Sequence, residues 1–486
     1  KVIGSMEEFV SEIEKAQAAG VQKNNPFVGF EVGNYEEANY EKIDLHKNTV
    51  DPIVLVGDDG STPLHRESDL IDVWFDSGSM PYAQWHYPFE NKEKIDAGEA
   101  FPADYIAEGV DQTRGWFYTL HAIATLVFDQ VSYKNVVSNG LVLDKNGQKM
   151  SKRLGNAADP FETLKKYGPD ATRWYMIANA NPWDNLKFDV EGIAEVQRKF
   201  FGTLYNTYSF FSLYSNIDGF CYEENALPLD QRTELDRWIL SELNSLIAEV
   251  DNAYSDYEPT KAARAIADFV QEKLSNWYVR LNRRRFWKGT YGADKMAAYQ
   301  TLFECLLNVA KLAAPIAPFY TDRLYQDLVG NTNVESFASV HLSNFPVSLS
   351  ETIDSALEAR INKARLIVSL GLSLRKKEQI KVRQPLQKLM IPVKNKEDRA
   401  QLASITDQIK TEINVKELEL LDDASAILVK EIKPNFKTLG PRFGKEMRFV
   451  AETIKQLSED EIRQLEDQGK LDVIVNEKNI TLEKSD

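Results

Sequence analysis

The sequence predicts a mixed fold: half of a doubly wound α/β sheet (residues 1–187), an all-α bundle (188–350), and a long helix with a small α+β domain (351–486). Three observations predict it. Between residues 100 and 180, strand-like and helix-like segments alternate, which is typical of a parallel sheet. Between residues 233 and 312, apolar side chains recur with the period of about 3.6 residues typical of packed helices. Short strands and helices alternate again after Pro385.

Length and composition limit the class of protein. A chain of 486 residues predicts about three domains at roughly 150 residues each. With 58 Lys and Arg against 74 Asp and Glu, the net charge of −16 argues against general polyanion binding but permits a local basic surface. Cys221 and Cys305 offer no zinc pattern, and no apolar run is long enough for a membrane span. With no signal-peptide core and a start at Lys1, the chain is predicted to be a cytoplasmic fragment.

The first domain is predicted to begin with an amphipathic helix over residues 6–19. The segment that follows shows no regular periodicity, apart from one predicted strand at 53–56. The run 72–83 combines aromatic, small and acidic residues without clean periodicity. It fits a core strand running into a turn. It equally fits a pocket wall, in which Trp74 gives apolar shape and Ser77-Gly78-Ser79 let the backbone approach a ligand.

Residues 103–118 read as a strand followed by a polar helix start. The strand is predicted at 105–107, Glu108-Gly109 breaks it, and Asp111 or Thr113 caps a helix carrying Trp116. α/β sheets bind ligands where a strand meets such a helix. An ordinary capped helix is the alternative, but Glu, Asp and Gln crowded at this turn exceed what capping requires.

A strand over 135–143, a turn at Lys145-Asn146-Gly147 and a basic loop follow. The loop carries Lys149, Ser151, Lys152 and Arg153. Two ammonium groups suit a triphosphate that loses pyrophosphate, because charge builds on the leaving group. A solvated basic turn is the alternative. Helices are predicted to begin at Asp159-Pro160 and to run over 171–178.

In the all-α part, helices are predicted from a cap at Thr233, over 260–287 and over 299–312. The segment 273–288 is basic and has no acidic residue. The second half of this segment carries five positively charged residues: Arg280, Arg283, Arg284, Arg285 and Lys288. They favour RNA contact, with a solvated helix face as the alternative, whereas Trp277 and Tyr278 are in register with core positions.

The last part is predicted to start with a helix over 351–375. The strands that follow are expected at 389–393, 416–421, 426–430 and 471–475, and the helices at 397–413, 446–457 and 459–468, the last capped by Ser458.

The runs at 72–83, 104–118 and 140–156 together resemble the isoleucyl-tRNA synthetase family of class I aminoacyl-tRNA synthetases. The loop Lys149-Met150-Ser151-Lys152-Arg153 is similar to the lysine-methionine-serine-lysine signature, and Glu108-Gly109-Val110-Asp111-Gln112-Thr113-Arg114-Gly115-Trp116-Phe117 is the most discriminating run. The segments 275–280 and 433–442 are also similar to this family. The second of them resembles the eukaryote-like subgroup.

The resemblance implies a Rossmann-like catalytic half and an anticodon-binding bundle. It implies ATP with Mg²⁺, isoleucine and tRNA(Ile) as partners, no protein metal site, and a monomer. Lys149, Ser151 and Lys152 would act on the pyrophosphate, with Lys152 binding ATP. Glu108, Gly109, Asp111 and Gln112 would contact the adenylate. Trp74 and Trp116 would shape the isoleucine pocket.

One family signature, His-x-Gly-His, does not occur: the histidines are His46, His65, His86, His121 and His341. The first half of the nucleotide-binding fold and the editing domain are therefore expected to be missing. Two hypotheses remain: part of a ligase, inactive alone in amino-acid activation but able to bind tRNA, and a tRNA-binding module that performs no chemistry.

Overall fold

A computed structural model of the chain describes residues 1–69, 72–151, 153, 155–222, 225–330, 332, 334–393, 395–422, 432–476 and 478–486. It divides into two compact units. The first comprises residues 1–149 and 182–187, and the second comprises 150–181 and 188–486.

The first unit combines short helices with two-stranded sheets. Its helices are α1 (Met6–Ala18), α2 (Glu37–Tyr40), α3 (Lys47–Val50), α4 (Val73–Gly78), α5 (Met80–Ala83), α6 (Lys92–Asp96) and α7 (Trp116–Phe128). Its strands are β1 (Val54–Val56), β2 (Pro63–His65), β3 (Ala103–Gly109), β4 (Tyr133–Asn139), β5 (Val142–Asp144) and β6 (Leu186–Phe188), whose last residue belongs to the second unit.

A parallel β3–α7–β4 arrangement forms the centre of this unit. The two strands pair from Ala103↔Tyr133 to Gly109↔Asn139, and Ile106 packs with Phe117 and Leu120 of α7. β1 and β2 form an antiparallel hairpin, and β5 pairs with β6. Of the predicted half sheet, the described residues therefore form one parallel pair with its crossover helix.

Local packing ends β4 earlier than predicted, and the expected strand over 135–143 is divided. Gly140 N donates to Pro182 O at 2.8 Å, and a Cβ on Gly140 would lie only 2.3 Å from Asp184 O. The chain changes its partner here, from β3 to the segment that carries β6.

The strand interpretation of 72–83 is wrong, because this run forms α4 and α5. Asp72 caps α4 by accepting a hydrogen bond from Trp74 N at 2.8 Å. At 108–109 the predicted break is also misplaced, since β3 continues through Gly109.

The second unit is mainly helical. Its helices are α8 (Pro160–Tyr167), α9 (Pro169–Asn179), α10 (Val190–Val196), α11 (Gly202–Asp218), α12 (Glu234–Ser255), α13 (Pro259–Asp268), α14 (Arg280–Trp287), α15 (Ala293–Ala313), α16 (Pro318–Val329), α17 (Ser355–Lys377), α18 (Lys396–Ser404), α19 (Thr406–Ile413), α20 (Phe436–Phe443), α21 (Met447–Lys455) and α22 (Glu459–Gln468). Its strands are β7 (Leu386–Pro392), β8 (Val415–Leu421), β9 (Lys470–Val475) and β10 (Lys478–Glu483).

The predicted helix start at Asp159-Pro160 is confirmed, and so are the predicted caps at Thr233 and Ser458, both of which form reciprocal capping boxes. The predicted helix over 260–287 is helical throughout, but its middle, Phe269–Val279, is π-helical and leads directly into α14. Trp277 and Tyr278 are buried, as their register predicts.

The last part of this unit contains two different packing arrangements. β7 and β8 are parallel, are separated in sequence by α18 and α19, and share the large core of the bundle. α20–α22 and the antiparallel pair β9–β10 surround a separate core that includes Leu439, Ile454 and Leu482. The strand predicted at 426–430 lies outside the described residues. No helix in the described ranges is long and apolar enough to cross a bilayer.

Candidate functional site

The carboxyl end of β3 turns sharply into α7 and carries four of the predicted adenylate contacts. After Glu108 and Gly109 the chain forms a 3₁₀ turn, Val110–Arg114. Gln112 Oε1 accepts from Trp116 N at 2.9 Å, and Gln112 Nε2 donates to Asp111 Oδ2 at 3.0 Å. The Gln112 side chain therefore accepts from the first backbone amide of α7, whose N-cap is Gly115, and the expectation of a cap at Asp111 or Thr113 is wrong.

Two tryptophans join this turn to α4. Trp116 Nε1 donates to Ser77 O at 2.9 Å, and Trp74 Cη2 lies 3.1 Å from where a Gly115 Cβ would stand. Gly78 allows the same close approach farther along α7, because its Cβ would lie 3.1 Å from the backbone of Thr119. The runs 72–83 and 104–118 are thus brought together.

The surface around this junction is open and polar on one side. Glu108 and Asp111 are exposed, and Trp74 retains 48% of its accessible surface. Trp74 and the Gln112 amide both approach Gly115, so a half-exposed aromatic ring and a hydrogen-bonding group border the same turn and can contact a ligand together.

The basic loop begins on a turn built by Asp144. Its Oδ1 accepts from Asn146 N at 2.9 Å and from Gln148 N at 2.8 Å, and Gly147 adopts a φ of 83°. After this turn, Lys149 pairs with Leu143 in an isolated antiparallel β-bridge, and the lysine is exposed.

Beyond Lys149 the chain enters the second unit. There Ser151 N donates to Asn156 Oδ1 at 2.9 Å, and Ser151 Oγ accepts from Arg153 N at 3.2 Å. Lys152, the predicted ATP-binding residue, lies outside the described residues.

The five predicted RNA-binding cations divide into two sets. Arg283, Arg284 and Lys288 are exposed, and their side chains form no ion pair with other described residues. Arg280 pairs with Glu412, and its guanidinium carbon lies 5.8 Å from the Trp277 ring centroid. Arg285 differs from the other four because its side chain is only 15% exposed.

Arg285 is held inside the bundle by two carboxylates. Its Nη1 lies 2.8 Å from Asp236 Oδ1, and its Nη2 lies 2.9 Å from Asp294 Oδ1. Asp236 is fully buried and also accepts from Tyr278 Oη at 2.6 Å. Of the five cations predicted to contact RNA, Arg285 therefore neutralises a buried carboxylate.

The charge states of this pair follow from burial and contact. Burial alone would raise the pKa of Asp236, but the hydrogen bonds and charge of Arg285, with the Tyr278 and Thr233 hydroxyls, hold it below its usual value. The pKa of the Tyr278 hydroxyl is raised by burial and by the adjacent Asp236 charge. Asp236 is thus held as a carboxylate, and Tyr278 as a neutral hydroxyl that donates to it. The predicted cap Thr233 belongs to this cluster, whereas the pairing of Asp236 with Arg285 was not predicted.

In the parts of the chain that the structure describes, no cluster of three or more His, Cys, Asp or Glu residues could hold a metal ion.

Two protein-family models match parts of this chain. Residues 18–189 match the family of class I tRNA synthetases (I, L, M and V), and residues 236–390 match the anticodon-binding domain of tRNA ligases. The chain therefore contains a class I tRNA synthetase domain and an anticodon-binding domain.

Within that class, the chain is similar to bacterial proteins named isoleucine–tRNA ligase. It is 60% identical to the Bacteroides fragilis (strain YCH46) protein, over 97% of this chain and 41% of the relative. It is 59% identical to those of Bacteroides thetaiotaomicron and Porphyromonas gingivalis, over 100% of this chain and 42% of each relative. The chain thus spans about two fifths of the length of the curated relatives it matches.

Proposed function

We propose that this chain is part of an isoleucine–tRNA ligase and supplies one half of its adenylate site together with a tRNA-binding surface. In the proposed reaction the isoleucine carboxylate attacks the α-phosphorus of ATP and releases pyrophosphate. A tRNA ribose hydroxyl then attacks the isoleucyl carbonyl and releases AMP. The observation that carries this proposal is the 59–60% identity to isoleucine–tRNA ligases over nearly the whole chain.

The junction of β3, α4 and α7 supports the proposed adenylate contacts. Glu108 and Gly109 end a parallel strand, and Asp111 and Gln112 follow it, at the edge where α/β folds bind ligands. Trp74 and Trp116 border the same turn and would contact the isoleucine side chain. Mg²⁺ would arrive with ATP as part of the substrate, bound mainly by phosphate oxygens.

The basic loop supports the proposed role in pyrophosphate departure. Lys149 is exposed at the end of the Asp144 turn, and Ser151 and Lys152 follow within three residues. Positive charge placed at the leaving group lowers the barrier most where negative charge develops. We propose that the enzyme acts as a cytoplasmic monomer.

For tRNA(Ile), we propose contacts through the basic strip, which we define as Arg283, Arg284 and Lys288. These three cations are exposed within the anticodon-binding match, on a chain of net charge −16. A local basic surface on an acidic protein favours selective over general RNA binding. Arg280 and Arg285 were also predicted as contacts, but their guanidinium groups already bind Glu412, Asp236 and Asp294.

A chimera tests the proposed chemistry. The matching part of the Bacteroides fragilis ligase is replaced by this chain, and isoleucine-dependent ATP–pyrophosphate exchange and tRNA charging are measured. Both activities are expected, because the two sequences are 60% identical. A folded chimera that binds tRNA(Ile) but exchanges no pyrophosphate would favour the alternative, a tRNA-binding module without chemistry.

The RNA contact has its own test on the 486-residue chain. Replacing Arg283, Arg284 and Lys288 by Ala should weaken tRNA(Ile) binding and flatten its salt dependence, by roughly 0.7–0.9 of a log–log slope unit per lost phosphate contact. Replacing three exposed lysines at and just beyond the end of α17, Lys376, Lys377 and Lys381, provides a charge-matched comparison. Equal affinity and slope in both variants would assign the basic strip to ordinary solvated surface.

A further inference from the structure

We propose that Asp144 is a positioning residue for the release of pyrophosphate, because it fixes the place at which Lys149 enters the basic loop. Asp144 is the last residue of β5, and Lys149 stands five residues later. This inference rests on the proposed function. It deepens the role of the loop by adding a residue that acts through Lys149 rather than on pyrophosphate itself.

Four hydrogen bonds of the turn before the loop converge on Asp144. Its Oδ1 accepts from Asn146 N at 2.9 Å and from Gln148 N at 2.8 Å. Its backbone N donates to Gln148 O at 2.8 Å, and its backbone O accepts from Gly147 N at 2.9 Å. Two of these four bonds depend on the side chain, so replacement by Ala would remove them and leave the two backbone bonds.

The strand that carries Asp144 is itself held in place. β5 pairs with β6, and Leu141 N, just before β5, donates to Asn185 Oδ1 at 2.8 Å. At the tip of the turn, a Cβ on Gly147 would lie 3.3 Å from Lys187 Cε, so the turn packs against the stem of this lysine. β5 is thus a fixed support, and Asp144 connects the loop to it.

The turn also determines which way Lys149 faces. Lys149 pairs with Leu143, the residue directly before Asp144, in the antiparallel bridge. Successive side chains of an extended chain point to opposite faces, so a slip of one residue would turn Lys149 to the other face. A lysine stabilises the leaving group only where the negative charge develops, so a slipped register would remove its contribution.

The charge and the geometry of Asp144 have opposite effects, which allows an experiment to separate them. As a negative charge close to the basic loop, Asp144 weakens the attraction of a polyphosphate. As a double acceptor, it holds the turn that positions Lys149. Asp144→Asn removes the charge but keeps an oxygen that can accept two hydrogen bonds, whereas Asp144→Ala removes both.

The test compares Asp144→Ala, Asp144→Asn and Asn146→Ala in the Bacteroides fragilis chimera, by isoleucine-dependent ATP–pyrophosphate exchange. Asn146 is exposed in the same turn, and its replacement is the matched control. We expect Asp144→Ala to lower kcat roughly ten- to hundredfold, as misplacement of a reacting group by about 1 Å can do. KM for isoleucine should change little, because the predicted isoleucine contacts lie on other runs. Asp144→Asn and Asn146→Ala should remain close to the parent.

Two further measurements distinguish positioning from a general effect on folding. In the 486-residue chain, hydrogen exchange followed by mass spectrometry should be faster over residues 142–150 in Asp144→Ala than in Asp144→Asn or the parent, with the rest of the first unit unchanged. In a Lys149→Ala chimera, Asp144→Ala should cause a smaller loss of kcat than in the parent chimera. The part of its effect that passes through Lys149 is then already lost.

The outcomes separate this inference from the proposed function. Parent-like kcat in Asp144→Ala would overturn the positioning role, and so would equal losses in Asp144→Ala and Asp144→Asn, which would attribute the effect to charge. Hydrogen exchange that is unchanged over residues 142–150, or faster across the whole first unit, would also overturn it. A parent chimera without pyrophosphate exchange would overturn the proposed function, and the positioning role with it.

Discussion

Replacing Arg285 by Ala should destabilise the helical unit much more than replacing its neighbour Arg284. The variant leaves the Asp236 carboxylate, which has no accessible surface, without its cation. Removing one partner of a buried ion pair costs roughly 3–5 kcal/mol. Asp236 keeps the Tyr278 hydroxyl at 2.6 Å and the Thr233 backbone N at 3.1 Å, so we expect a loss near the lower end, about 3 kcal/mol.

Urea unfolding followed by circular dichroism measures this loss. Arg284→Ala is the control, since an exposed side chain without an ion pair should change the free energy of unfolding by no more than about 0.5 kcal/mol. Combining Arg285→Met with Asp236→Asn should cost less than the sum of the two single changes, because no charge is then left buried.

The pH dependence provides a second measurement. The folded-state pKa of Asp236 lies below its usual value, because Arg285, Tyr278 and Thr233 outweigh the effect of burial. Such a group stabilises the folded state above its unfolded pKa of about 4, and the contribution is lost as pH falls through the folded pKa. Without Arg285, burial should raise this pKa. The stability difference between parent and Arg285→Ala should thus be full at neutral pH and shrink as pH falls toward about 4 and below.

A loss below about 1 kcal/mol in Arg285→Ala, equal to that of Arg284→Ala, would refute the reasoning. It would mean that Asp236 is adequately stabilised by its hydrogen bonds alone, and that Arg285 is available to RNA as the sequence predicted.

Three further predictions follow from the remaining parts of the chain. The 486-residue chain alone should show no isoleucine-dependent ATP–pyrophosphate exchange above background, because no His-x-Gly-His signature is present to hold ATP opposite the basic loop. In the active chimera, Lys152→Ala should lower kcat for activation by roughly 10²–10³ with little change in KM for isoleucine; a normal kcat with a raised KM would assign Lys152 to ground-state binding. Gly140→Ala should destabilise the first unit by about 1–3 kcal/mol in a urea titration, because its Cβ would meet Asp184 O at 2.3 Å, whereas the exposed Lys145→Ala should be nearly neutral.

Sequence reasoning succeeded where the signal is local. Asp159-Pro160, Thr233 and Ser458 each cap the helix predicted from their residue type, because capping uses backbone groups two or three positions away. It failed at 72–83, where aromatic and small residues suggested a strand. The sequence contains the capping residue Asp72, which is a local signal for a helix. The packing of α4 against α7 through Gly78, however, involves a segment about forty residues away, which local patterns do not show.

The candidate site shows the same division between local and distant information. The position of Asp111 and Gln112 after a strand could be predicted from the chain alone, whereas Glu108 lies within that strand. The side chain that accepts from the first amide of α7 could not be predicted. Asp111, Gln112 and Thr113 all carry suitable oxygen atoms, and which of them reaches this amide depends on the backbone conformation at Gly115.

The helical periodicity of residues 278–285 distinguishes a buried arginine from exposed ones, although the net charge of this segment does not. Tyr278, Asn282 and Arg285 are spaced by four and three residues, so they share one helical face, and the first two are buried. Arg280 and Arg284 share a different face and remain exposed. The periodicity that assigned Tyr278 to the core therefore assigned Arg285 beside it, where a guanidinium requires a carboxylate partner. One basic run thus serves two purposes: Arg285 stabilises the bundle from within, and its exposed neighbours remain available to an anionic partner.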